Sequence, residues 1–318
     1  MSCLSVIVPC YNGEKFIGRC LESLVNQTLQ DIEIIVINDG STDNSQDIID
    51  SYANKYHNIK AYKIPNSGIA DARNFGVSKV ETPYFGFLDC DDYTDVTMFE
   101  KMYNKAIETN AQVVVSNFYW VKGKKKKLEK EGPYNTGKDM LIHLFAVLWN
   151  KIYDTEFVRS TNIRFPSGNR YEDAYFLYCL APNIERLAFI DEAFVHYVQH
   201  ENSITHNNNE EVKNMITIFD NILNYYAHTN RYDEYHDELE YLHIKFFLGN
   251  SFLRSARIDD KQDRDYTIQL GWNMLNDEFP DWHHNHYLKE LPGLKNLYFR
   301  MVYDWNVMLF AYLFRIIG

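Results

Sequence analysis

The strongest constraint on this chain is the alternation of strand-like and helix-like patterns across its first 120 residues. Residues 4–9 form a short β-rich run, and Phe16, Ile17, Cys20, Leu21 and Leu24 follow with helical spacing. Residues 32–37 make a second strand that ends in Asn38-Asp39-Gly40. A helix is expected from near Asp43, with Gln46 closing a capping box and Ile48, Ile49, Tyr52, Ala53 and Tyr56 facing inward. Strands at 59–64, 84–88 and 112–121 then alternate with helices at 69–80 and 96–108. Such alternation predicts an α/β fold built on a mostly parallel, doubly wound sheet. Ligands of these sheets bind beyond the carboxyl ends of the strands. Tyr11, Asp39, Asn66 and Asp89 each follow a strand, so they are expected on one rim.

The fourth strand ends in Phe87-Leu88-Asp89-Cys90-Asp91-Asp92. Three carboxylates within four residues repel one another unless a cation or a hydrogen-bonding ligand takes up the charge. Hard oxygen donors of this kind suit Mg²⁺ or Mn²⁺, which usually arrive with substrate phosphates. An acidic turn after a strand is the plainer reading of the same residues.

Composition narrows the partners. The chain has 318 residues, enough for one large or two modest domains, and a formal net charge of −12. That charge argues against a general nucleic-acid binder, so an anionic substrate must be received locally, by a metal, Arg/Lys or backbone N–H groups. The 24 Tyr and 20 Phe suit sugar stacking or an interface, although most such rings serve as core. Cys3, Cys10, Cys20, Cys90 and Cys179 show no metal-ligand spacing and read as reduced thiols of a cytosolic protein. Neither a signal peptide nor an apolar stretch of membrane-spanning length is found.

Beyond residue 122 the pattern changes. The basic run at 123–127 reads as a solvated hairpin tip, or as a contact for an acceptor or phospholipid. Helices are expected at 138–148, behind Thr136, and at 171–180, with one or two strands over 186–199. Residues 211–318 carry helical spacing throughout, including Ile216, Phe219, Ile222, Leu223 and Tyr226. The expected division is therefore 1–209, split into a nucleotide-binding half (1–121) and an acceptor-side half (122–209), and a helical region 210–318. The tail at 294–317 is apolar but carries Arg300, Asp304, Asn306 and Arg315. It suits an interfacial amphipathic helix, or a helix packed on the catalytic domain or a dimer partner.

No G-x-G-x-x-G follows the first strand and no G-x-x-x-x-G-K-[ST] occurs, which argues against a hydride-transfer enzyme and a P-loop ATPase. Five blocks stand in a telling order. They are Ser5-Val6-Ile7-Val8-Pro9-Cys10-Tyr11-Asn12, Val36-Ile37-Asn38-Asp39-Gly40-Ser41-Thr42-Asp43, Gly68-Ile69-Ala70-Asp71-Ala72-Arg73-Asn74, Phe87-Leu88-Asp89-Cys90-Asp91-Asp92 and Tyr171-Glu172-Asp173. Over roughly residues 4–205 the chain resembles the family 2 glycosyltransferases, inverting enzymes of the GT-A fold. The resemblance implies a nucleotide-sugar donor, a UDP-hexose by preference. It also implies a saccharide or lipid-linked acceptor, and Mn²⁺ or Mg²⁺ as cofactor. By the same resemblance the protein belongs in the cytoplasm, peripheral to the inner face of the cell membrane, in surface-polysaccharide, glycolipid or wall-polymer synthesis.

The resemblance also assigns roles. Asp39 accepts from a uracil ring N–H beside Tyr11, Asp89 lies on the ribose side, and Asp91 holds the metal with Asp92 as a further candidate. Pro9, Asn12, Asn66, Arg73, Cys90, Lys151, Glu172 and Ser203 complete the donor-binding set, with Trp149 beside the sugar pocket or in the core. Asp173 is the base, although a first-turn acid that complements a helix dipole would look the same. Arg73 suits a base carbonyl or phosphate, or an ion pair with Asp71 or a rim carboxylate. Relatives carry arginines before an Asn-Ser-Ile-Thr-like segment, where this chain has His196 and His200, candidate phosphate donors or metal ligands. Two alternatives remain: a non-catalytic GT-A partner of another transferase, and a haloacid-dehalogenase-type phosphotransferase. The second wants Thr or Val where Tyr93 stands and its motif after the first strand.

Overall fold

A computed structural model describes residues 2–199, 208–291 and 293–317. The chain separates into two compact units, Met1–Glu201 and Asn202–Gly318.

The first unit is built on one nine-stranded sheet. Strands β1 (Leu4–Cys10), β2 (Ile32–Asp39), β3 (Ile59–Ile64) and β4 (Tyr84–Phe87) pair in parallel in the order β3-β2-β1-β4. Every residue of β1 and β2 is buried, as expected of parallel strands covered on both faces. The covering helices are α1 (Ile17–Val25), α2 (Ser45–Lys55) and α3 (Ile69–Lys79). Helix α1 turns Ile17, Cys20, Leu21 and Leu24 inward, as their spacing foretold. Helix α3 approaches the sheet at Gly76, where a Cβ would come within 2.4 Å of Ile7 Cγ2, so any side chain there must push helix and strand apart.

After β4 come β5 (Tyr93–Thr94), α4 (Met98–Thr109), β6 (Val113–Lys122), β7 (Lys125–Glu129), α5 (Gly137–His143), β8 (Lys151–Asp154), α6 (Thr155–Thr161), α7 (Glu172–Leu180) and β9 (Leu187–Val198). Here the sheet becomes mixed. Strand β8 runs antiparallel to both β4 and β6, β9 is parallel to β6, and β5 is antiparallel to β9. The β5–β9 pairing folds the acidic segment after β4 back beside the end of β9. Beneath α7, Phe85, Phe87, Tyr153, Phe165 and Phe176 form one aromatic cluster, with Phe165 stacked on Phe176 at 4.5 Å. Each buried ring contributes about 1.5–3 kcal/mol, which anchors the start of α7 against β4.

Two local expectations are corrected. Asp43 and Gln46 form no capping box: Asp43 accepts from the Ser45 N–H and hydroxyl, and Gln46 accepts from Asn38. The helix behind Thr136 is capped by the Thr136 hydroxyl as expected, but it ends at His143.

The second unit contains only helices among its described residues: α8 (Asn208–His228), α9 (His236–Ile244), α10 (Phe252–Ala256), α11 (Lys261–Glu278), α12 (Gly293–Met301), α13 (Val307–Ile317) and short 3₁₀ and π segments. Phe219, Ile222, Leu223 and Tyr226 of α8 are buried as expected, but Met215 and Ile218 hold the inner face where Ile216 had been placed. No helix among the described residues is long and apolar enough to cross a membrane.

Candidate active site

The rim at the carboxyl ends of β2, β1 and β4 gathers most of the expected residues. Asp39 and Asp89 flank β1 from its two neighbours, so their strands stand about 10 Å apart. Buried Asp39 receives the backbone N–H groups of Ser67 (2.8 Å) and Gly68 (2.9 Å), one on each carboxylate oxygen. It thereby satisfies the start of α3, whose own cap residue, Gly68, has no side chain to offer. The spare lone pairs are what a ligand N–H could use. Gly40, at φ +69°, permits the close approach of Asn66, whose backbone nitrogen would lie 2.6 Å from a Cβ. Asn12 ties the two rim loops by donating its N–H to Ser41 and accepting from the Thr42 N–H, while the Tyr11 ring is 52% exposed above them. Pro9 is buried within β1.

Arg73 is the hinge of the site. Its guanidinium is buried and bonds Asp89 Oδ1 at 2.9 Å through Nη2 and Glu172 through Nη1. The ion pair with a rim carboxylate is therefore found at Asp89, with Glu172 as a second partner, whereas Asp71 bonds Ser167. Two carboxylates, 99 and 16 residues away in sequence, thus hold the guanidinium by its two terminal nitrogens, and its buried Nε has no partner among the described residues. The bridge places the start of α7 beside the end of β4. Asp173, next to Glu172, is consequently within electrostatic reach of Arg73 and Asp89. Burial and Glu172 raise its carboxyl from 3.8 to about 7. The preceding residue, Tyr171, holds φ +65°, a left-handed conformation that costs a non-glycine residue about 1–3 kcal/mol.

The acidic segment fits an oxygen-preferring divalent cation. Burial and then Asp89 push Asp91 up to about 6, and burial, Asp91 and Asp89 raise Asp92 well above the carboxylate range. Asp92 Oδ1 accepts from the Val198 N–H at 2.7 Å, while its buried Oδ2 has no partner among the described residues. Repelling carboxylates with an orphaned oxygen are the condition a cation relieves. Among the described residues no three acidic, His or Cys groups converge enough to hold a metal by themselves. Mg²⁺ or Mn²⁺ would be held here through one or two carboxylates, completed by ligand oxygens and water.

Other expected members lie elsewhere. Lys151 is fully buried, its amino group bonded to Glu131 (2.8 Å), Asn150 and the Val147 carbonyl; with its donors used internally, it is a structural ion pair and not a donor contact. Trp149 is core, edge-on to Phe118 at 4.7 Å and stacked on Tyr197 at 5.4 Å. Cys90 and Cys10 both bring their thiols against Gly13, and the influence of Cys90 lowers the Cys10 pKa. His196 is not with the acidic segment's side chains: it stacks on Tyr93 at 4.4 Å and meets Asp95 at 2.9 Å. His200 and Ser203 lie outside the described residues.

Two residues escaped the sequence reading. Arg19 of α1 donates to the Asp91 carbonyl at 2.6 Å and lies over the Tyr93 ring, bringing a cation to the acidic segment. Tyr197 sits close enough to Asp92, Asp89, Asp91 and Asp173 that they add to the effect of burial in raising its phenol pKa to about 12. Neither has a local signature, since each is defined by partners on other elements.

Solved structures share this architecture. Staphylococcus aureus TarS residues 1–349, in complex with UDP-GlcNAc, superposes with a TM-score of 0.61 at 22% identity, covering 87% of this chain and 91% of that one. The Pyrobaculum calidifontis mannosyltransferase PcManGT, in complex with GDP-Man and Mn²⁺, reaches a TM-score of 0.54 at 13% identity, covering 87% of each chain. The mixed sheet is thus the GT-A fold. In sequence, the chain is 32% identical over 215 residues to glycosyltransferase EpsJ of Bacillus subtilis, a match covering 64% of this chain and 62% of that relative. The family model "Glycosyl transferase family 2" matches residues 5–167, more than half of the chain and four of the five blocks, with Tyr171-Glu172-Asp173 beyond it, and this protein belongs to that family.

Proposed function

We propose that the protein transfers a sugar, with inversion, from a nucleotide-sugar donor to a hydroxyl of a saccharide or lipid-linked acceptor. The observation that carries this reading is the Arg73 bridge from Asp89 to Glu172, the neighbour of Asp173, whose carboxyl pKa is raised to about 7. A base poised near neutrality can take the acceptor hydroxyl's proton as the new C1–O bond forms. The nucleoside diphosphate leaves from the opposite face of the sugar. Asp39 is suited to a base N–H, Tyr11 to an apolar wall beside it, and Asp89 to the ribose. Asp91, with Asp92 behind it, would hold Mn²⁺ or Mg²⁺, which when bound stabilises charge developing on the leaving diphosphate. A UDP-hexose is the favoured donor, and surface polysaccharide, glycolipid or wall polymer the favoured product.

Thermal stabilisation by a panel of nucleotide sugars with Mn²⁺ tests the donor: one sugar nucleotide should stand out by mass action. No stabilisation by any of them overturns the reading. Transfer unchanged by EDTA would remove the metal from it.

The same reading puts the protein at the inner face of the cell membrane. Its support is an uncovered apolar stripe in the second unit: Leu294, Leu297 and Met301 of α12, and Trp305, Met308, Leu309, Tyr312, Leu313 and Ile316 on and just before α13. Leu294 is 85% and Trp305 81% exposed. Lys295, Arg300 and Arg315, against Asp304 alone, make this stretch positive in a negative chain, as an anionic lipid surface requires.

A further inference from the structure

The hairpin of β6 and β7 carries Lys122, Lys124, Lys125, Lys126 and Lys127, all exposed, in a chain of net charge −12. The register sets Lys122 directly opposite Lys125 and Trp120 opposite Lys127. Like charges facing across a strand pair destabilise it, so the tip bears a standing cost that an anion would remove. No carboxylate among the described residues lies within ion-pair distance of Lys122, Lys124 or Lys125, and Lys127 has only Glu129, at 3.3 Å. Alternation along the strands separates the lysines by face. Lys126 goes to the side of Tyr119, lying 4.1 Å from its ring centre, whereas Lys122, Lys125 and Lys127 share the face of Trp120. Trp120, Lys122, Lys125, Lys126, Lys127 and Gln199 line an open groove of about 670 Å³.

Ring contacts lead from this groove toward the candidate site. Trp120 is paired with Tyr197 in register, their rings 4.9 Å apart edge-to-face, and its indole N–H is held by Glu129 at 3.0 Å. Tyr197 stacks on Trp149 and feels the charges of Asp89, Asp91, Asp92 and Asp173. One face of the sheet therefore presents a run of cations, then aromatic rings, then the carboxylates that would perform transfer. Rings suit the C–H faces of a sugar or polyol, and ammonium groups act as point charges for phosphates.

We propose that this face is an acceptor track for a polyanionic chain, a polymer of sugar or polyol units joined by phosphodiesters. The lysines hold phosphates of the repeating chain while Trp120 and Tyr197 guide one unit to Asp173. The inference rests on the transferase reading and names its acceptor class. A membrane surface suits the hairpin less well. The cations line a concave groove flanked by rings, and the only exposed aliphatic side chain between β6 and the end of β7 is Leu128.

The test uses the full chain and its K122Q/K125Q/K127Q variant, titrated with poly(glycerol phosphate), hyaluronan, neutral dextran, and vesicles of phosphatidylcholine with or without phosphatidylglycerol. The expected result is saturable binding of poly(glycerol phosphate) that weakens with salt and falls at least tenfold in the variant. Dextran and hyaluronan should bind at least tenfold more weakly. The variant's thermal midpoint should rise in the absence of polymer, because the facing charges are gone. Equal binding of hyaluronan, no polymer binding, or polymer binding unchanged in the variant overturns the proposal. Loss in the variant of binding to phosphatidylglycerol vesicles, without polymer binding, replaces it with a membrane surface. Stabilisation of the same samples by nucleotide sugars with Mn²⁺ reads the donor site separately. The acceptor proposal can then fail while the transferase reading stands, and the reverse.

Discussion

The two halves of the first unit differ in how they hold their polar side chains. In the parallel half, β1 to β4, Asp39 and Asn12 on the rim are fastened to loop backbone, at the Ser67 and Gly68 N–H groups and at Thr42, while Asp89 meets Arg73. In the mixed half, charges are fastened to other charges across long loops: Lys151 to Glu131, and Glu172 to Arg73 of the other half. Backbone donors cannot titrate or be displaced, so the first arrangement makes a fixed cradle. Charge pairs can be unbalanced by one proton, and the second arrangement therefore leaves Asp173 poised near neutrality. A rigid half to hold a ligand and a titratable half to act on it is the division a group transfer needs.

The comparison breaks most sharply at Asp173. Asp173→Asn should lower the transfer rate about 10²–10⁴-fold, as loss of a general base does, while thermal stabilisation by the sugar nucleotide persists. In the wild type, kcat/KM should climb as pH rises through about 7, because the base must be ionised, and the variant's residual rate should lack that step. Stability moves the other way. With the native carboxyl raised to about 7 against an ordinary 3.8, its own contribution to stability is fullest below about pH 4 and is lost as pH rises through 7. The thermal midpoint of Asp173→Asn should accordingly exceed the wild type's by more at pH 8 than at pH 5. A constant difference would place the carboxyl outside the buried cluster.

Lys151→Met should strand Glu131 in the interior and cost about 3–5 kcal/mol in a denaturant titration. Removing both charges, as Lys151→Met with Glu131→Leu, should recover much of that loss. Persistence of donor affinity in the double variant would confirm that this pair belongs to the scaffold. Asp39→Ala should be milder, weakening donor binding by about 1.5–3 kcal/mol, the worth of a hydrogen bond to a charged acceptor. Because Asp39 also serves the start of α3, hydrogen exchange at Ser67 and Gly68 should quicken in the same variant. The smallest stability effect is expected in the second unit, where Leu309→Glu with Leu313→Glu replaces exposed side chains and should change stability by about 0.5 kcal/mol or less per site. Its readout is instead the fluorescence of exposed Trp305, which should shift to the blue with phosphatidylglycerol vesicles in the wild type alone. A concentration-dependent dimer in place of that shift would show that a second copy covers the stripe.

Much of the fold was legible because the parallel half obeys local rules. Apolar runs of four to eight residues alternate with 3.6-periodic segments, and each of the four strand ends was found within a residue or two. The mixed half was read less well. Residues 138–148 continue a helical pattern past His143, but the helix ends there, and Phe145 and Trp149 beyond it contact Phe118. Ile216 and Ile218 are equally apolar, and packing within the second unit decides which one is buried.

The chain's own order of residues determined which elements form, which carboxylates stand at strand ends and which acids open α7, since those depend on neighbours a few positions away. Tertiary structure decided who answers each charge. Arg73 meets Asp89 and Glu172, Lys151 disappears into the core with Glu131, and His196 goes to Asp95 and Tyr93. Charged partners up to 101 residues apart leave no periodicity to read, because burial makes any unpaired charge costly and the fold settles each one with whatever the packing brings within reach.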